Sequence, residues 1–360
     1  MSNKYKIVLA CIFSVLIACE PDFDVNAPWK DITIVYGLLN QNDSLHYVKI
    51  NKAFLGNADA YEMAQIRDSS EYDVNDIEVK VERWKDGIKQ SEEYTLNTTT
   101  IINKEAGDFY SPEQIIYYFI TNEEWIINSQ KYFLDQNSDY KLVIENTKTG
   151  KVVTATTPII NSGIWCSSSD CQPMPMANSK ICLYNNDEYV TQKVAWKTVK
   201  NGKRYQLTMR FKYNETNLNT SYTKQDSIDW VFTSVKSNDL DGGEIMSKEI
   251  DGEPFYKFVA SKISPVSYDN NVKRDNVSLD FIIDVAGDEF NTYLEVNEPS
   301  TGLIQEKPDY TNVKNDKGKD EIGIFSCRYY EIRSDKILNY DSARELESGK
   351  YTSGLGFNLL

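Results

Sequence analysis

The chain has 360 residues, with 39 Lys and Arg against 54 Asp and Glu, and a formal charge of -15. This length corresponds to roughly two domains at about 150 residues each, and 41% apolar with 26% charged residues is a globular balance. The acidic excess argues against the clustered basic surface that a nucleic acid requires, so no nucleic acid is expected as a partner. His46 is the only histidine, so a multi-histidine zinc site is excluded and a Ser-His-Asp or Cys-His site could use only this imidazole.

The N-terminus has the pattern of a lipoprotein signal peptide. Residues 1–18 combine Lys4 and Lys6 with an apolar run that is too short to span a bilayer. The run ends in a small residue followed by Cys19, which resembles the bacterial lipobox. We therefore expect cleavage before Cys19 and its acylation by chains such as palmitate, which anchor a protein without a transmembrane helix. An ordinary secretory signal with a chance cysteine is the alternative.

An acidic tether is predicted directly after the anchor, over residues 19–30. Glu20, Asp22 and Asp24 lie close to the cysteine, and this arrangement resembles the export signal that sends lipoproteins of Bacteroidota-type bacteria to the outer face of the outer membrane. A solvated acidic spacer is the alternative. The prediction is a protein that is lipid-anchored in the outer membrane and exposed at the cell surface.

Residues 31–160 are predicted to form an immunoglobulin-like β-sandwich. Short runs rich in β-branched and aromatic residues alternate with Asn, Asp, Gly and Ser clusters, which is the pattern of strands and turns. About seven strands in this span match the size of an immunoglobulin-like module. Residues 59–67 are helical in character and are expected to form a loop excursion with a short helix. The clearest predicted strands are 32–36, 45–50, 77–84, 140–145 and 152–156.

A second, C-terminal β-rich domain is predicted over residues 161–360, after a boundary at 158–165. Loops are expected at 214–226 and 238–253. No fixed-period repeat is visible, which argues against a solenoid or propeller. The fold class is therefore mainly β, with two β-sandwich-like domains. The strands predicted here are 193–197, 204–213, 229–235, 255–263, 276–285 and 290–296.

Four further cysteines follow the anchor, and an exported protein meets an oxidising compartment. Cys166 and Cys171 are expected to close a small disulfide loop, and Cys182 with Cys327 would tie the start of the second domain to its end. Four cysteines allow three connectivities. A thiolate metal site would need a tighter pair such as Cys-x-x-Cys.

The sequence offers no catalytic motif. The acids Asp239, Asp241 and Glu244 resemble part of a calcium loop, but the spacing to a bidentate glutamate is missing, which favours a solvated turn. Glycine-rich phosphate loops and a Gly-x-Ser-x-Gly elbow are missing too. No catalytic residue, metal or cofactor is therefore expected.

Aromatic residues on loops are the remaining candidates for binding, because they offer a large contact area to sugar rings or peptide side chains at low entropic cost. The chain has 24 Tyr and 6 Trp. Packing in the sandwich core is the alternative for any one of them. The loop candidates for ligand binding are Tyr61, Tyr72, Tyr110 and Trp125.

The order of these features resembles a group of Bacteroidota outer-membrane lipoproteins, the domain-of-unknown-function family numbered 4249. The resemblance covers most of the mature chain, and its motifs contain no catalytic residue. It implies a non-catalytic accessory role in nutrient capture or uptake, in association with a TonB-dependent receptor. The residues that carry it are the lipobox cysteine with its acids, 36–40, 142–144 with 157–158, 312–313 and 323–326.

Three other readings of the sequence stay open. A fimbrillin-like adhesin or structural subunit would assemble by strand addition, after cleavage at a basic residue such as Lys30 or Arg67. A surface hydrolase would need an acid pair at about 5–10 Å across a cleft. A purely structural role in the envelope is the third.

Overall fold

The computed structural model describes residues 32–53, 59–165, 179–267, 271–298 and 309–360. Strands dominate these ranges, and the sheets pack in sandwich-like layers, so the predicted fold class is confirmed. The signal peptide, Cys19 and the acidic tether lie outside the described residues.

Twenty strands and five α-helices are described, together with one 3₁₀-helix, Ser353–Leu355. The helices are α1 Ala60–Ala64, α2 Arg67–Ser70, α3 Gly252–Lys262, α4 Asp288–Asn297 and α5 Tyr340–Ser348. The strands are β1 Thr33–Leu39, β2 Leu45–Lys52, β3 Ile77–Lys85, β4 Ile88–Thr95, β5 Asn97–Ile102, β6 Glu113–Ile120, β7 Trp125–Ile127, β8 Gln130–Tyr132, β9 Asp139–Asn146, β10 Val152–Pro158, β11 Tyr184–Asn185, β12 Glu188–Tyr189, β13 Thr191–Lys197, β14 Arg204–Asn217, β15 Tyr222–Val231, β16 Val235–Lys236, β17 Ile245–Asp251, β18 Val272–Ala286, β19 Lys314–Asn315 and β20 Ile322–Lys336.

One large sheet runs through both halves of the chain in the order β15-β14-β18-β20-β1-β2-β6-β5, with β16 pairing β14. Its junction is the parallel pair β1–β20, in which Val35 lies opposite Gly323. Gly323 has φ +100°, and a Cβ there would lie 1.9 Å from the Val35 carbonyl oxygen. Only glycine permits this backbone conformation at this separation, so the junction depends on that residue.

The first sandwich forms where a second sheet, β19-β10-β9-β3-β4, packs against the β1-β2-β6 end of the large sheet. The alternating residues of both sheets point inward: Val35 and Val48 from one side, and Val81 and Leu142 from the other, are at most 1% exposed. All of them belong to a single hydrophobic cluster. Alternation along each strand therefore gives the large sheet one buried face and one outward face.

The other end of the large sheet buries the same face under a different layer. The β13–β17 pair contributes Trp196, α3 contributes Phe255 and α5 contributes Leu346, all fully buried. The rings of Phe211 on β14 and Phe255 are 5.9 Å apart. The core is thus continuous from one end of the sheet to the other.

Two predicted strands are helices. In residues 255–263 the apolar side chains recur at helical spacing, and Phe255, Val259 and Ile263 lie on the buried side of α3. Residues 290–296 likewise belong to α4. The predicted loop 214–226 is largely the continuation of β14 and β15, and 238–253 contains β17.

The boundary expected at residues 158–165 does not separate two sheets. Strand β1, from the predicted N-terminal domain, is hydrogen-bonded to β20, from the predicted C-terminal domain. Strand β10 is likewise paired with β19. The first pairing joins residues almost 300 positions apart in sequence and the second joins residues about 160 apart, which local patterns do not reveal.

Candidate functional site: an aromatic groove

The outward face of the large sheet carries exposed aromatic residues where β1, β2 and β6 meet. Tyr36 of β1 is 42% exposed and Tyr47 of β2 is 48% exposed. Tyr47 lies opposite Tyr118 of β6, and their ring centroids are 6.4 Å apart. A sheet face with water-exposed rings in register is a typical interaction surface.

Helix α4 lies against β20 and borders these rings. It follows Gly287, whose backbone N–H donates to the Cys327 carbonyl at 3.1 Å. A Cβ at Gly287 would lie 2.9 Å from the Cys327 sulfur, so the glycine lets the helix begin close to the sheet. Tyr293 of α4 then meets Tyr36 edge-on, with the ring centroids 6.2 Å apart at 72°.

Burial, together with the neighbouring Tyr293 side chain, raises the pKa of Tyr36 to about 12. Its hydroxyl is therefore neutral at physiological pH and can both donate and accept a hydrogen bond. Tyr36 thus offers the groove a ring face and a polar tip on a rigid strand.

Between the sheet, α4 and the β1–β2 turn lies a cavity of about 870 Å³. This volume is in the upper part of the range of about 300–1,000 Å³ that is typical of sites for small organic ligands. We call it the aromatic groove. Its lining is Tyr36, Gly37, Leu38, Asn42, Asp43, Ser44, Leu45, His46, Tyr47, Phe133, Phe290, Tyr293, Ile324 and Arg328.

The polar groups at the groove come from the β1–β2 turn and from β20. The Asn42 amide donates to the Tyr330 carbonyl at 3.0 Å, which fixes the turn against β20. Asp43 is half-buried and Arg328 is exposed. Within the described part of the chain, the Arg328 side chain takes part in no hydrogen bond or ion pair, so its guanidinium donors are available to a ligand.

His46 is a core residue. It is 2% exposed and stacks on Phe119, with ring centroids 4.7 Å apart. Burial lowers its pKa to about 4 although the Asp43 backbone acts in the other direction. The imidazole is therefore neutral at physiological pH, and its Nε2 has no hydrogen-bond partner among the described residues.

The four aromatic candidates from the sequence are not gathered in the groove. Tyr61 is 68% exposed on α1, while Tyr72 is 8% exposed and its hydroxyl shares a hydrogen bond with Thr33. Tyr110 and Trp125 are half-buried. Tyr72 is thus a packed residue rather than the exposed loop residue that was expected.

The sequence does not single out the groove residues, because they lie on strands and on α4, for which the sequence predicts a strand over 290–296. Tyr36, Tyr47, Phe290 and Tyr293 come from three separate elements. The one usable signal was the outward position of Tyr36 and Tyr47 in alternating strands.

The expected disulfide between Cys182 and Cys327 is wrong, because both cysteines are free. The Cys182 sulfur accepts from the Asn339 amide at 3.3 Å, beside the start of α5. Cys327 is enclosed in the middle of the large sheet, where burial raises the pKa of its thiol to about 12. The proposed partners Cys166 and Cys171 lie outside the described residues.

In the acidic turn at 239–244, two of the three carboxylates accept hydrogen bonds from neighbouring residues. Asp239 accepts from the backbone N–H of Asp241 at 3.0 Å, and Glu244 accepts from both the backbone and the side-chain amide of Asn238. Across the described ranges, no group of three or more His, Cys, Asp or Glu side chains could hold a metal ion. No helix in these ranges is long and apolar enough to cross a membrane.

A second cavity, of about 410 Å³, lies on the same outward face at the β14–β15–β18 end. Its charges are matched within the protein. Arg210 and Asp229 form a two-bond ion pair at 2.8 Å. Lys212 lies 2.8 Å from Asp280 and 2.7 Å from Asp335.

Comparisons with known proteins add little to this geometry. No family model matches the chain, and no curated protein matches it. Among solved structures, the chain is similar to the C-terminal globular domain of an oligosaccharyltransferase from Pyrococcus abyssi, at 8% sequence identity and a TM-score of 0.24. The match covers 72% of this chain and 49% of that one, so it spans about half of the solved domain. The site and the fold therefore define the protein only as a mainly β protein with an outward aromatic groove.

Proposed function

We propose that this chain is a non-catalytic, lipid-anchored protein of the bacterial cell surface that binds its ligand in the aromatic groove. The observation that carries the proposal is the groove itself, with Tyr36 and Tyr47 exposed beside a cavity of about 870 Å³. Exposure of an aromatic ring to water is unfavourable, and covering the ring with a ligand lowers the free energy. The rings are set on paired strands and on α4, so little order has to be created on binding.

The proposal includes an accessory role beside a TonB-dependent receptor in nutrient uptake. It is supported by the lipobox-like arrangement at Cys19, by the acids at Glu20, Asp22 and Asp24, and by the family resemblance drawn from the sequence. A surface anchor would keep the groove close to the membrane where such a receptor works. We also propose that the first sandwich is an immunoglobulin-like module.

Acylation is tested first, by mass spectrometry of the membrane fraction. We expect a mature chain that begins at an acylated Cys19, and a Cys19→Ser variant that leaves the membrane fraction. Recovery of the intact precursor, or of a soluble mature chain without lipid, would contradict the anchor.

Partner capture tests the role. A C-terminally tagged chain is purified from gently solubilised membranes, and protease accessibility is read on the same cells. We expect a protease-sensitive chain that recovers a large β-barrel receptor. Recovery of ladders of its own copies, clipped near the N-terminus, would favour the fimbrillin-like alternative instead.

Binding at the groove is tested with two matched tyrosine variants. Tyr47→Ser removes an exposed groove ring, whereas Tyr222→Ser removes a 68% exposed ring of β15 at the far edge of the same sheet. Extracts of the growth medium are passed over each immobilised chain, and the retained compounds are identified. The proposal requires that Tyr47→Ser, and not Tyr222→Ser, lose what the unaltered chain retains.

A further inference from the structure

We propose that the ligand of the aromatic groove is an acidic oligosaccharide, whose sugar rings lie on the tyrosines and whose carboxylate pairs with Arg328. The inference rests on the proposed function, because it names the ligand class of the same groove. It depends on three features of the lining: flat aromatic faces, groups that suit hydroxyls, and one unmatched positive charge.

The aromatic faces suit sugar rings. Tyr36, Tyr47 and Tyr293 each carry a ring next to a hydroxyl, and Phe133 and Phe290 add apolar surface. The C–H faces of a pyranose are apolar while its rim is polar, which matches rings that have an apolar body and a polar tip. A volume of about 870 Å³ leaves space for more than one sugar unit.

The polar groups suit sugar hydroxyls. Asp43 and Ser44 lie on the turn that closes one side of the groove. A carboxylate accepts hydrogen bonds and a serine hydroxyl both donates and accepts. A hydroxyl-rich ligand can satisfy these groups, whereas an apolar ligand would leave them without water or partners.

Arg328 indicates that the ligand carries a negative charge. Other exposed basic groups on this face of the sheet have acidic partners: Arg210 pairs with Asp229, and Lys212 pairs with both Asp280 and Asp335. Arg328 makes no such pair with a described residue. Asp284 is exposed nearby, and it forms no ion pair with Arg328 within the described residues. The chain has 54 acidic residues, yet none of the described ones pairs with this guanidinium beside the aromatic groove. An unpaired guanidinium fits a carboxylate on the ligand.

The test uses uronate oligosaccharides and the full mature chain. Tetrasaccharides of galacturonate, mannuronate and glucuronate are each compared with the carboxyl-reduced form of the same sugar by isothermal titration calorimetry. We expect at least one acid form to bind, and to bind at least about tenfold more tightly than its reduced form, since the charge-assisted bond is lost in the latter.

Two variants assign the contacts. Arg328→Gln should weaken binding of the acid form by about tenfold or more and leave the reduced form unchanged. Tyr47→Ser should weaken both forms. Arg210→Gln and Tyr222→Ser, which alter the same sheet outside the groove, should change neither.

The inference is overturned if no uronate binds, if the acid and reduced forms bind equally, or if Arg328→Gln binds the acid form like the unaltered chain. The proposed function fails separately. If no saccharide binds but Tyr47→Ser still loses the compound retained from the growth medium, the groove has a ligand of another class. If Tyr47→Ser loses nothing in either experiment, the groove is not the binding site.

Discussion

The outward face of the large sheet has two ends that differ in chemistry although they belong to the same sheet. At the β14–β15–β18 end, Arg210 and Lys212 have acidic partners within 2.8 Å. At the β1–β2–β20 end, Tyr36 and Tyr47 stand exposed beside Arg328, which has no such partner among the described residues.

From this difference we infer that the charged end is already satisfied within the protein, whereas the aromatic end binds a ligand. Exposed ion pairs are already satisfied by each other and by water, and each contributes about 0–1 kcal/mol. Exposed rings are not satisfied by water in the same way, and a cluster of them usually marks an interaction site. We therefore propose that binding takes place at the aromatic end.

The two ends belong to one sheet only through the β1–β20 junction, and Gly323→Ala is the substitution that should disrupt this junction most. A Cβ would collide with the Val35 carbonyl, 1.9 Å away, and φ +100° is unfavourable for alanine. We expect a loss of about 4 kcal/mol or more, because a backbone clash adds to conformational strain. Urea unfolding of the unaltered chain should show one transition, and the variant should shift all of it.

Gly354→Ala is the matched control for this substitution. Apart from its chain neighbours, no heavy atom of the described residues lies within 4 Å of the position that its Cβ would take, so we expect a change within about 0.5 kcal/mol. Two separate transitions, with only one of them shifted by Gly323→Ala, would show that the two ends unfold independently.

A buried ion pair at the charged end should matter much more than the exposed ones. Arg274 is 2% exposed, and its Nε and Nη2 lie 2.9 and 2.7 Å from one Glu215 oxygen. Glu215→Leu leaves the buried Arg274 guanidinium without its carboxylate partner. We expect the free energy of unfolding, measured in urea, to fall by about 3–5 kcal/mol. Adding Arg274→Met to Glu215→Leu should restore most of the loss. A double variant as unstable as the single one would mean that lost packing, and not the unpaired charge, causes the destabilisation.

Local sequence pattern predicted much of the sandwich. The strand predicted over 77–84 corresponds to β3, and the turn that leads into β4 consists of Asp86 and Gly87, both with positive φ. The strands predicted around 140–145 and 152–156 correspond to β9 and β10. Each of these depends on residues close together in sequence, where side-chain period and turn chemistry act directly.

The groove could not be predicted in the same way. Its rings come from β1, β2 and α4. The aromatic content of 290–296 favours a strand, although Phe290, Tyr293 and Leu294 lie at helical spacing. The parallel pairing of β1 with β20 brings Arg328 to the groove from almost 300 residues away. Long-range strand pairing is decided by the whole core and leaves no local signal.

The border of the aromatic end contains one charge cluster whose strength depends on pH. Glu71 is 8% exposed and is held by Lys49 and Arg67 at 3.0 and 2.8 Å. Burial acts to raise its pKa, but the hydrogen bonds from Arg67, Lys49 and the Ile115 N–H outweigh burial and lower it. The stabilisation is therefore complete above the ordinary glutamate pKa of about 4.3 and is lost as the pH falls through the lowered value.

Glu71→Gln should accordingly cost about 1–3 kcal/mol at pH 7, and the difference from the unaltered chain should shrink below about pH 4. Urea unfolding at pH 7, 5 and 3.5 measures it. Glu113→Gln, which removes the 42% exposed partner of Arg67 at 3.6 Å, should cost about 0.5 kcal/mol or less. A Glu71→Gln cost that stays constant with pH would point to lost packing.

The smallest expected changes in unfolding free energy are those of Arg210→Gln and Arg328→Gln, which lie at the two ends of the face. Arg210→Gln breaks an exposed pair, with side chains 40% and 38% exposed, and should cost about 0.2–1 kcal/mol in unfolding free energy. Arg328→Gln breaks no pair with a described residue, and we expect a change within about 0.5 kcal/mol. A cost for Arg328→Gln above that for Arg210→Gln would assign Arg328 a structural partner. In that case its charge would not be available to a ligand, and the contrast between the two ends would reduce to their aromatic residues alone.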